Sequence, residues 1–326
     1  MSSICGIYSF KQSDAIHKDL TSMLESLNHW HADTIHTWSD KSIALGHLMR
    51  FNTPTSLTEI QPLDDISNNL VVTADARIDN RSELCKLLQL SNEELKIITE
   101  PQLILKAYLR WGSACVDKLL GDFAFVIWDK TQKKLFCARD HMGCKPLYYY
   151  YDNHRFIFST EIKSIAELAY SKKELNESWL AYSLCLINTD KESTLYKDIK
   201  SLAPAHFIQV DKDNIQSRQY WKIELKKEIY FSKEEDYVEA LREQITQAVN
   251  CRLKSAYPIG SELSGGLDSS LVTSIAARTK LNKLHTFSHV QSEVDKKTFY
   301  PYEDESYHIK LLSDSIGLPI KQRHLI

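Results

Sequence analysis

The sequence predicts two successive fold classes, an α+β domain followed by an α/β domain. Residues 1–210 are dense in short runs of β-branched and aromatic residues, with helical periodicity between some of the runs. Residues 211–231 are polar and irregular, and we interpret them as a linker. Between 232 and 326 the pattern becomes a regular alternation of strand and helix, which is typical of a parallel, doubly wound sheet.

Composition and charge restrict the classes of function. The chain has 326 residues, a length that favours two domains. Its 40 basic and 43 acidic residues leave a net charge of -3, so nucleic-acid binding through bulk charge is not expected. The sequence holds no apolar run of the ~18 residues that a membrane span needs. The seven cysteines include no CxxC pair, which argues against zinc and favours reduced thiols in a cytoplasmic protein.

The first 210 residues contain eight predicted strands and two predicted helices. The helices are indicated by apolar residues at helical spacing from Ile16 to Leu27 and from Leu103 to Trp111. The strand-like runs are ICGIYSF, SIALGHLMRF, NLVVTADARI, FAFVIWD, KLFCARD, PLYYYYD, RFIFSTE and HFIQVD. Many strands with few helices predict a layered α+β domain.

The second domain begins with a predicted helix. Its apolar stripe consists of Val238, Leu241, Ile245, Ala248, Val249 and Leu253. The elements predicted after it are a strand at 259–263, a helix at 271–277, a strand at 284–290, a helix at 305–316 closed by Gly317, and a strand in IKQRHLI. The alternation stops inside a predicted strand at Ile326, so we expect a partial sheet.

The string SGGLDSS, at 264–270, lies between a predicted strand and a predicted helix. Its paired glycines let the backbone approach an anion closely, its serines supply hydroxyl donors, and the helix start offers free N–H groups. Asp268 would repel phosphate unless Mg²⁺ lay between them, so we expect a metal-mediated contact with pyrophosphate. The competing interpretation is a glycine turn followed by an Asp/Ser helix cap.

The loop resembles the pyrophosphate loop of the N-type ATP pyrophosphatases, which adenylate a carbonyl group. Upstream, the run Ile4-Cys5-Gly6-Ile7-Tyr8 looks like the start of a class II glutamine amidotransferase domain. Further motifs follow the asparagine synthetase order: GDFAF with WD, ARDH with Gly143 and KPLYY, and Ser159 with EIK. The chain is similar to the glutamine-hydrolysing asparagine synthetase family over essentially its whole length.

This resemblance implies a fold, a reaction and a set of site residues. The fold is an N-terminal αββα, Ntn-type glutaminase-like domain joined to an ATP pyrophosphatase domain. The reaction is that of an ATP-dependent carbon–nitrogen ligase, in which ammonia from glutamine attacks an adenylated aspartate and Mg²⁺ accompanies ATP. The resemblance assigns Cys5 as nucleophile and Arg50, Asp75 and Glu100 to the glutamine pocket. Those it assigns to ATP are Leu263, Ser264, Gly265, Gly266, Asp268, Ser269, Ser270 and His289.

Several positions depart from the family pattern in the glutaminase half. A nucleophilic Cys5 needs a free α-amino group as its base, yet Met1–Ile4 precede it. The family's Asn-Gly-Glu stretch falls on Asp75–Arg77, and an ionised Asp cannot donate a hydrogen bond as Asn does. The family's arginine falls on Met49, one place before Arg50. We therefore predict that glutamine hydrolysis is weak or absent.

Two alternative functions stay open. The segments GHLMRFNTP, TADARIDNR and GSELSGGLDSS look like a sub-branch that includes lasso-peptide macrolactam cyclases, which join a side-chain carboxylate to an amine of a precursor peptide. Such an enzyme needs no ammonia. The other alternative is a catalytically inactive module, because the family's second acidic loop and catalytic lysine have no counterpart here. A homodimer, or a second chain completing the synthetase domain, fits either enzyme.

The triplet Arg139-Asp140-His141 has the residue types of a catalytic group. In the resembled family this segment is structural. We therefore interpret it as a turn with an internal salt bridge.

Overall fold

A computed structural model describes residues 2–11, 15–187, 190–280, 284–290, 305–317 and 320–324. The chain divides into two compact units. Unit 1 comprises Met1–Phe51 and Thr55–Leu225, and unit 2 comprises Asn52–Pro54 and Lys226–Ile326. Within the described residues, no helix has both the length and the apolar character that crossing a bilayer requires.

Unit 1 is built on two six-stranded antiparallel sheets. The strands are β1 Ser3–Ser9, β2 Thr34–Asp40, β3 Ile43–Met49, β4 Leu63–Asp65, β5 Leu70–Ile78, β6 Gly121–Asp129, β7 Lys134–Arg139, β8 Tyr148–Tyr151, β9 Arg155–Ser159, β10 Lys200–Ser201, β11 His206–Val210 and β12 Ile215–Gln219. The first sheet has the order β10-β8-β9-β1-β3-β2, and the second has the order β12-β11-β7-β6-β5-β4. All eight strand-like runs of the sequence form strands, which confirms those predictions.

Unit 1 has six α-helices among its described residues, and several of them cover the outer faces of the sheets. They are α1 Ala15–Leu27, α2 Arg81–Leu87, α3 Asn92–Ile97, α4 Glu100–Trp111, α5 Ile162–Ala166 and α6 Glu177–Leu184. Met23 of α1 and Ile165 of α5 are buried against the first sheet. Leu103 of α4 is buried against Phe125 of the second sheet. Both helices predicted by periodicity, α1 and α4, are confirmed.

A third apolar cluster lies between the two sheets. It joins Ile4 and Phe158 of the first sheet to Val71 and Trp128 of the second. With helices outside each sheet, the layers follow the order αββα, as the resemblance predicts. Each strand therefore has one face toward its partner sheet and one toward helices, so the position of a residue along its strand decides which layer its side chain enters.

Strand β12 lies inside the segment interpreted as a linker. It pairs with β11 from His206↔Gln219 to Val210↔Ile215 and forms the edge of the second sheet. All of β12 after Ile215 is exposed. An edge strand with so little buried surface needs no alternation of apolar and polar residues. Its sequence therefore lacks the pattern that predicts a strand.

Unit 2 contains a parallel three-stranded sheet. Its elements are α7 Glu234–Arg252, β13 Ile259–Glu262, α8 Leu267–Lys280, β14 Leu284–Val290, α9 Ser306–Ile316 and β15 Ile320–His324. The sheet order is β13-β14-β15. The predicted alternation of strand and helix is confirmed, and Gly317 ends α9 with a φ of +67°, as a helix-terminating glycine does.

The core of unit 2 lies on one side of this sheet. Val249 of α7, Ala276 of α8 and Leu284 of β14 share one buried cluster. Only the carboxyl-terminal half of the apolar stripe predicted for α7 is buried. Val249 lies in the core, whereas Val238 and Leu241 are 53% and 61% exposed. The sequence pattern correctly predicts the helix, but its amino-terminal half has little covering it in the described part of the chain.

Candidate functional site

The loop at 264–266 begins where β13 meets the neighbouring strand. Leu263 is buried, and its backbone N–H donates to the carbonyl of Phe287 at 2.8 Å. The Ser288 hydroxyl donates to the carbonyl of Leu263 at 2.7 Å. Because β14 fixes both backbone groups of Leu263, the loop starts from a rigid point at the carboxyl end of the sheet, where ligands of open α/β sheets bind.

Two serine hydroxyls close the loop on itself. Ser264 Oγ and Ser269 Oγ lie 3.0 Å apart, and Ser269 Oγ also accepts from the Ser264 N–H at 3.2 Å and donates to the Gly266 carbonyl at 3.1 Å. The Gly266 N–H points to Ser264 Oγ at 3.4 Å. These bonds hold both hydroxyls beside the first turn of α8, where donors to an anion would have to be.

The two glycines of the loop have different surroundings. Gly265 has a φ of +91°, and a Cβ placed there would lie 2.9 Å from Cβ of Glu305, the residue before α9. Among the described residues, a Cβ on Gly266 would meet Ser264 Oγ alone, at 3.5 Å. Gly265 therefore allows α9 to pack closely on the loop. Gly266 leaves a gap in front of the loop, which an anion can enter.

Helix α8 follows directly and is fastened to the sheet. Thr273 of α8 is buried, and its hydroxyl lies 2.8 Å from that of Ser261 in β13. Asp268 lies in the first turn of α8, and the N–H of Ser270 donates to the Gly266 carbonyl at 3.1 Å. The start of α8, which carries the partial positive charge of a helix amino terminus, therefore lies next to the Ser269 hydroxyl.

His289 lies in β14, where its backbone pairs in register with Arg323 of β15. Its side chain is outside the described residues. The structure therefore brings together seven of the eight residues predicted to bind ATP, from Leu263 to Ser270, and it puts His289 near the carboxyl end of the adjacent strand. The arrangement suits a phosphate group, and the roles of the individual residues stay predictions.

Cys5 lies in the middle of β1 and is completely buried. It is flanked by Gly46 of β3 and Ser159 of β9, and its Sγ would lie 3.1 Å from a Cβ on Gly46. Burial raises the pKa of this thiol far above its ordinary range. Strand β1 extends back to Ser3, so the nitrogen of Cys5 is a peptide N–H inside a sheet rather than an amine.

Asp75 lies in β5 and forms a buried ion pair with Lys145. Lys145 Nζ is 2.8 Å from Asp75 Oδ2 and 3.0 Å from Oδ1. Burial raises the pKa of the Asp75 carboxyl, and the charge of Lys145 opposes that shift. The Lys145 ammonium group is thus bound to the Asp75 carboxylate, which the resemblance assigns to glutamine binding.

Asp140 organises the loop that carries Lys145. Its buried carboxylate accepts backbone N–H bonds from Cys144 at 2.9 Å and from Lys145 at 2.8 Å. The guanidinium of Arg139 donates to the carbonyls of Lys145 and Gly143 at 2.8 Å each. The structural turn is therefore confirmed. The salt bridge expected inside it is replaced by hydrogen bonds to the backbone.

Glu100, at the start of α4, is paired with Arg81 of α2. Both side chains are over 90% buried, and Arg81 Nη1 donates to Glu100 Oε2. Burial lowers the pKa of Arg81. Arg50 follows β3 and has different partners. Its backbone N–H donates to Ser2 Oγ at 3.0 Å, and its guanidinium donates to the carbonyl of His31.

The predicted nucleophile and the predicted substrate carboxylate face different layers. Cys5 belongs to the cluster between the first sheet and its helices. Asp75 pairs with Ala124, and Ala124 belongs to the cluster between the two sheets. The first sheet therefore separates Cys5 from Asp75. The three residues predicted for the glutamine pocket, Arg50, Asp75 and Glu100, are held in separate contacts rather than around the Cys5 thiol.

Sequence reasoning did not find the cations that pair with these carboxylates, nor a buried polar group beside Asp75. His47 is buried between the sheets, with Nε2 3.2 Å from the Ala74 carbonyl, and Gln61 bonds both backbone groups of Ala74 at 3.0 and 2.6 Å. Burial lowers the pKa of His47 to about 4. The available signal was the otherwise apolar run IALGHLM, which indicates that His47 is buried but not which layer it faces.

Comparisons with known proteins match both units. A family described as glutamine amidotransferase domain matches residues 1–221, and one described as asparagine synthase matches residues 240–326. A protein of Methanocaldococcus jannaschii, whose name includes asparagine synthetase and glutamine-hydrolyzing, is 31% identical over 334 residues, covering 96% of this chain and 63% of the relative. Asparagine synthetase (glutamine-hydrolyzing) 3 of Bacillus subtilis is 29% identical over 329 residues, covering 97% of this chain and 53% of the relative.

The chain thus spans between about half and two thirds of the length of these relatives. Among solved structures, glutamine phosphoribosylpyrophosphate amidotransferase of Bacillus subtilis aligns with 99% of this chain and 81% of its own, at 12% identity and a TM-score of 0.46.

Proposed function

Because the chain belongs to the family that joins a glutamine amidotransferase domain to an asparagine synthase domain, we propose that it is part of an ATP-dependent amide-forming ligase. Its loop at 264–270 binds the phosphates of ATP. The enzyme activates a side-chain carboxylate by adenylation, with aspartate as the expected substrate, and an amine or ammonia then displaces AMP. The protein works in the cytoplasm, as its reduced cysteines suggest.

One observation carries this proposal: among the described residues, the space in front of Gly266 is open and two serine hydroxyls lie beside it. In the part of the chain that the structure describes, a Cβ at Gly266 would meet nothing closer than Ser264 Oγ at 3.5 Å, and the hydroxyls of Ser264 and Ser269 lie beside it. A helix cap alone requires neither the second glycine nor the second hydroxyl. Phosphate requires both close backbone approach and several donors.

The residues present also suit a Mg²⁺ ion that accompanies ATP. Asp268 is the carboxylate in the first turn of α8, directly after the donors, and Mg²⁺ in nucleotide sites is held by one or two carboxylates together with phosphate oxygens. When bound, the ion would neutralise phosphate charge. Asp268 would hold it, while Ser264 and Ser269 orient the phosphate oxygens and the start of α8 stabilises their negative charge.

The source of the amine favours a second candidate. Cys5 is buried, Asp75 is paired with Lys145, and Glu100 is paired with Arg81. Three of the four residues assigned to glutamine are thus buried or held in a buried ion pair, and Arg50 is the exception. This supports a ligase that does not draw ammonia from glutamine in unit 1. A macrolactam cyclase, which joins the activated carboxylate to an amine of a precursor peptide, has that property.

Acceptor-dependent AMP formation tests the proposal. The chain is incubated with Mg-ATP and either aspartate with ammonia, aspartate with glutamine, or a linear peptide carrying a free amino terminus and an acidic side chain. AMP formed with aspartate supports the asparagine synthetase type, and AMP formed only with the peptide supports the cyclase. Magnesium-dependent ATP binding without AMP leaves an inactive module. No ATP binding at all overturns the proposal.

A further inference from the structure

A cavity of about 550 Å³ lies at the edge of the second sheet of unit 1, and we call it the edge cavity. Strand β4 and the turn Ile66–Asn68 form one of its walls, and helices α3 and α4 form the other. The chain is described without a gap from Ala15 to Ile187, which includes the residues that line the cavity. Its volume is within the range of about 300–1,000 Å³ that is usual for small-molecule sites. None of the residues assigned to glutamine or to ATP lines it.

The walls of the edge cavity are aliphatic. Ile98 and Leu105 are buried, whereas Ile66, Ile97 and Leu109 line the same cavity and are 78%, 72% and 48% exposed. Single exposed apolar side chains are common on protein surfaces, but several around one cavity indicate a binding site. The described residues that line it include no aromatic ring, so the apolar part of a ligand would pack on aliphatic side chains.

The two aspartates of the edge cavity already have partners within unit 1. Asp64 forms an ion pair with Lys130 and accepts a hydrogen bond from Trp38 Nε1 at 2.8 Å. Asp65 accepts from the backbone N–H of Asn68 at 3.2 Å and from its side-chain amide at 2.8 Å. Both carboxylates thus hold β4 and the turn that follows it, which leaves them little capacity to bind a cation.

The third carboxylate of the edge cavity, Glu94, caps helix α3. It accepts from the N–H of Ser91 at 2.9 Å and from the Ser91 hydroxyl at 3.0 Å. These bonds are the main cause that holds the pKa of Glu94 below its ordinary value, and the charge of Lys106 adds to the shift. Glu94 is therefore an ionised structural cap, and its acceptor capacity is directed toward α3.

Two side chains of α4 bring hydrogen-bond donors to the edge cavity. Gln102 and Lys106 are four residues apart, so they lie on the same side of the helix, and both line the cavity. The amide oxygen of Gln102 accepts from the Thr99 N–H at 2.9 Å, which leaves its amide N–H groups for another partner. Neither these N–H groups nor the Lys106 ammonium bonds to a further described residue. Donors beside aliphatic walls suit a ligand that has an apolar body and an anionic group.

We propose that the edge cavity binds an aliphatic carboxylate of the medium-chain fatty acid class. The carboxylate group accepts from Gln102 and Lys106, and the hydrocarbon chain packs against Ile66, Ile97 and Leu109. This site is independent of the ligase function proposed above, because none of its residues belongs to the loop at 264–270.

Calorimetric titration of the whole chain with sodium decanoate tests the proposal. Lys106→Gln removes the charge, and Ile97→Asn removes part of the apolar wall at an exposed position. Lys86→Gln, on the exposed surface of α2 and outside the cavity, is the matched control. We expect one saturable decanoate site in wild type and Lys86→Gln, with an affinity at least tenfold lower in Lys106→Gln and in Ile97→Asn. Octanoate, which is two methylene groups shorter, should bind about tenfold more weakly than decanoate.

No saturable binding of decanoate to the wild type would overturn the proposal. Equal decanoate affinity in Lys106→Gln and wild type would also overturn it, because the carboxylate would then have no cationic partner. Decyltrimethylammonium has the same chain length and the opposite charge, and if it binds as tightly as decanoate, the cavity does not recognise a carboxylate. Circular dichroism checks that each variant is folded, and the use of two cavity variants keeps the test decisive if one of them is not.

Discussion

Lys145 Nζ lies 2.8 Å from a carboxylate oxygen of Asp75, and the two side chains are only 13% and 9% exposed. A buried charge that loses its partner is strongly destabilising. We therefore expect Lys145→Met to lower the free energy of unfolding by about 3–5 kcal/mol. The double variant Lys145→Met with Asp75→Asn should recover most of that loss, because no buried charge remains. Denaturant unfolding of the whole chain measures both.

The exposed pair of Lys197 and Glu174 is the control for that experiment. Its members are more than half exposed, so Lys197→Met should leave the unfolding midpoint close to that of the wild type. Equal losses for Lys145→Met and Lys197→Met would mean that burial does not strengthen the pair with Asp75.

His47 should make stability fall as the solution becomes acidic. The unfolded histidine has a pKa near 6.5, whereas burial holds the folded value at about 4. Between these values the unfolded chain binds more protons, so stability is lost as pH falls from about 6.5 to about 4. The total loss is about 3 kcal/mol, since each unit of pKa is worth about 1.4 kcal/mol.

The variant His47→Gln should flatten this dependence, because the side chain no longer titrates. His154→Gln, at an exposed position, should retain the wild-type slope. Urea unfolding at a series of pH values compares the three proteins. An unchanged slope in His47→Gln would show that another group causes the acid sensitivity.

The Cys5 thiol should be unreactive in the folded protein. Its thiol is buried with a raised pKa, whereas Cys144 and Cys185 are exposed. Because the thiolate is the reactive form, we expect iodoacetamide to modify the two exposed cysteines first and Cys5 only as the protein unfolds. Glutamate release from glutamine should be the same in wild type and Cys5→Ala. Brisk release that Cys5→Ala abolishes would contradict the arrangement described for β1.

The two loop glycines should respond differently to alanine. Gly265→Ala puts a Cβ 2.9 Å from that of Glu305 at a φ of +91°, so it should destabilise the chain by about 1–3 kcal/mol. In Gly266→Ala the methyl group meets Ser264 Oγ alone among the described residues, so stability should be nearly unchanged while the methyl group fills the space in front of the loop. ATP affinity should then fall at least tenfold in Gly266→Ala. Normal ATP affinity in a stable Gly266→Ala protein would mean that phosphate does not enter this space.

The sequence predicted the elements that carry strong patterns. Runs such as FAFVIWD are almost wholly apolar because their strands lie between two layers. The loop at 264–270 is marked by two adjacent glycines and three serines between a predicted strand and a predicted helix. The sequence did not predict β12, whose residues after Ile215 are exposed at a sheet edge. Apolar periodicity indicates which residues are buried, and this edge strand buries few residues.

The sequence could not predict which side chains meet in space. Lys145 and Asp75 are 70 positions apart, and Arg81 and Glu100 are 19 apart. Their pairing depends on how loops fold back over the sheets. The alternation along β1 does put Cys5 on the face opposite Ile4, but only the packed sheets show that Ile4 faces the second sheet.

Calorimetry tests the proposal that the loop at 264–270 binds ATP through Mg²⁺ held by Asp268. ATP is titrated into wild type, Asp268→Asn and Asp236→Asn, with and without Mg²⁺. Asp236 is a control carboxylate in the first turn of α7. We expect Mg²⁺ to strengthen ATP binding at least tenfold, about 1.4 kcal/mol, in wild type and Asp236→Asn, and to have no effect in Asp268→Asn. Equal ATP binding by all three proteins in both conditions would contradict the claim and leave the loop as a structural turn.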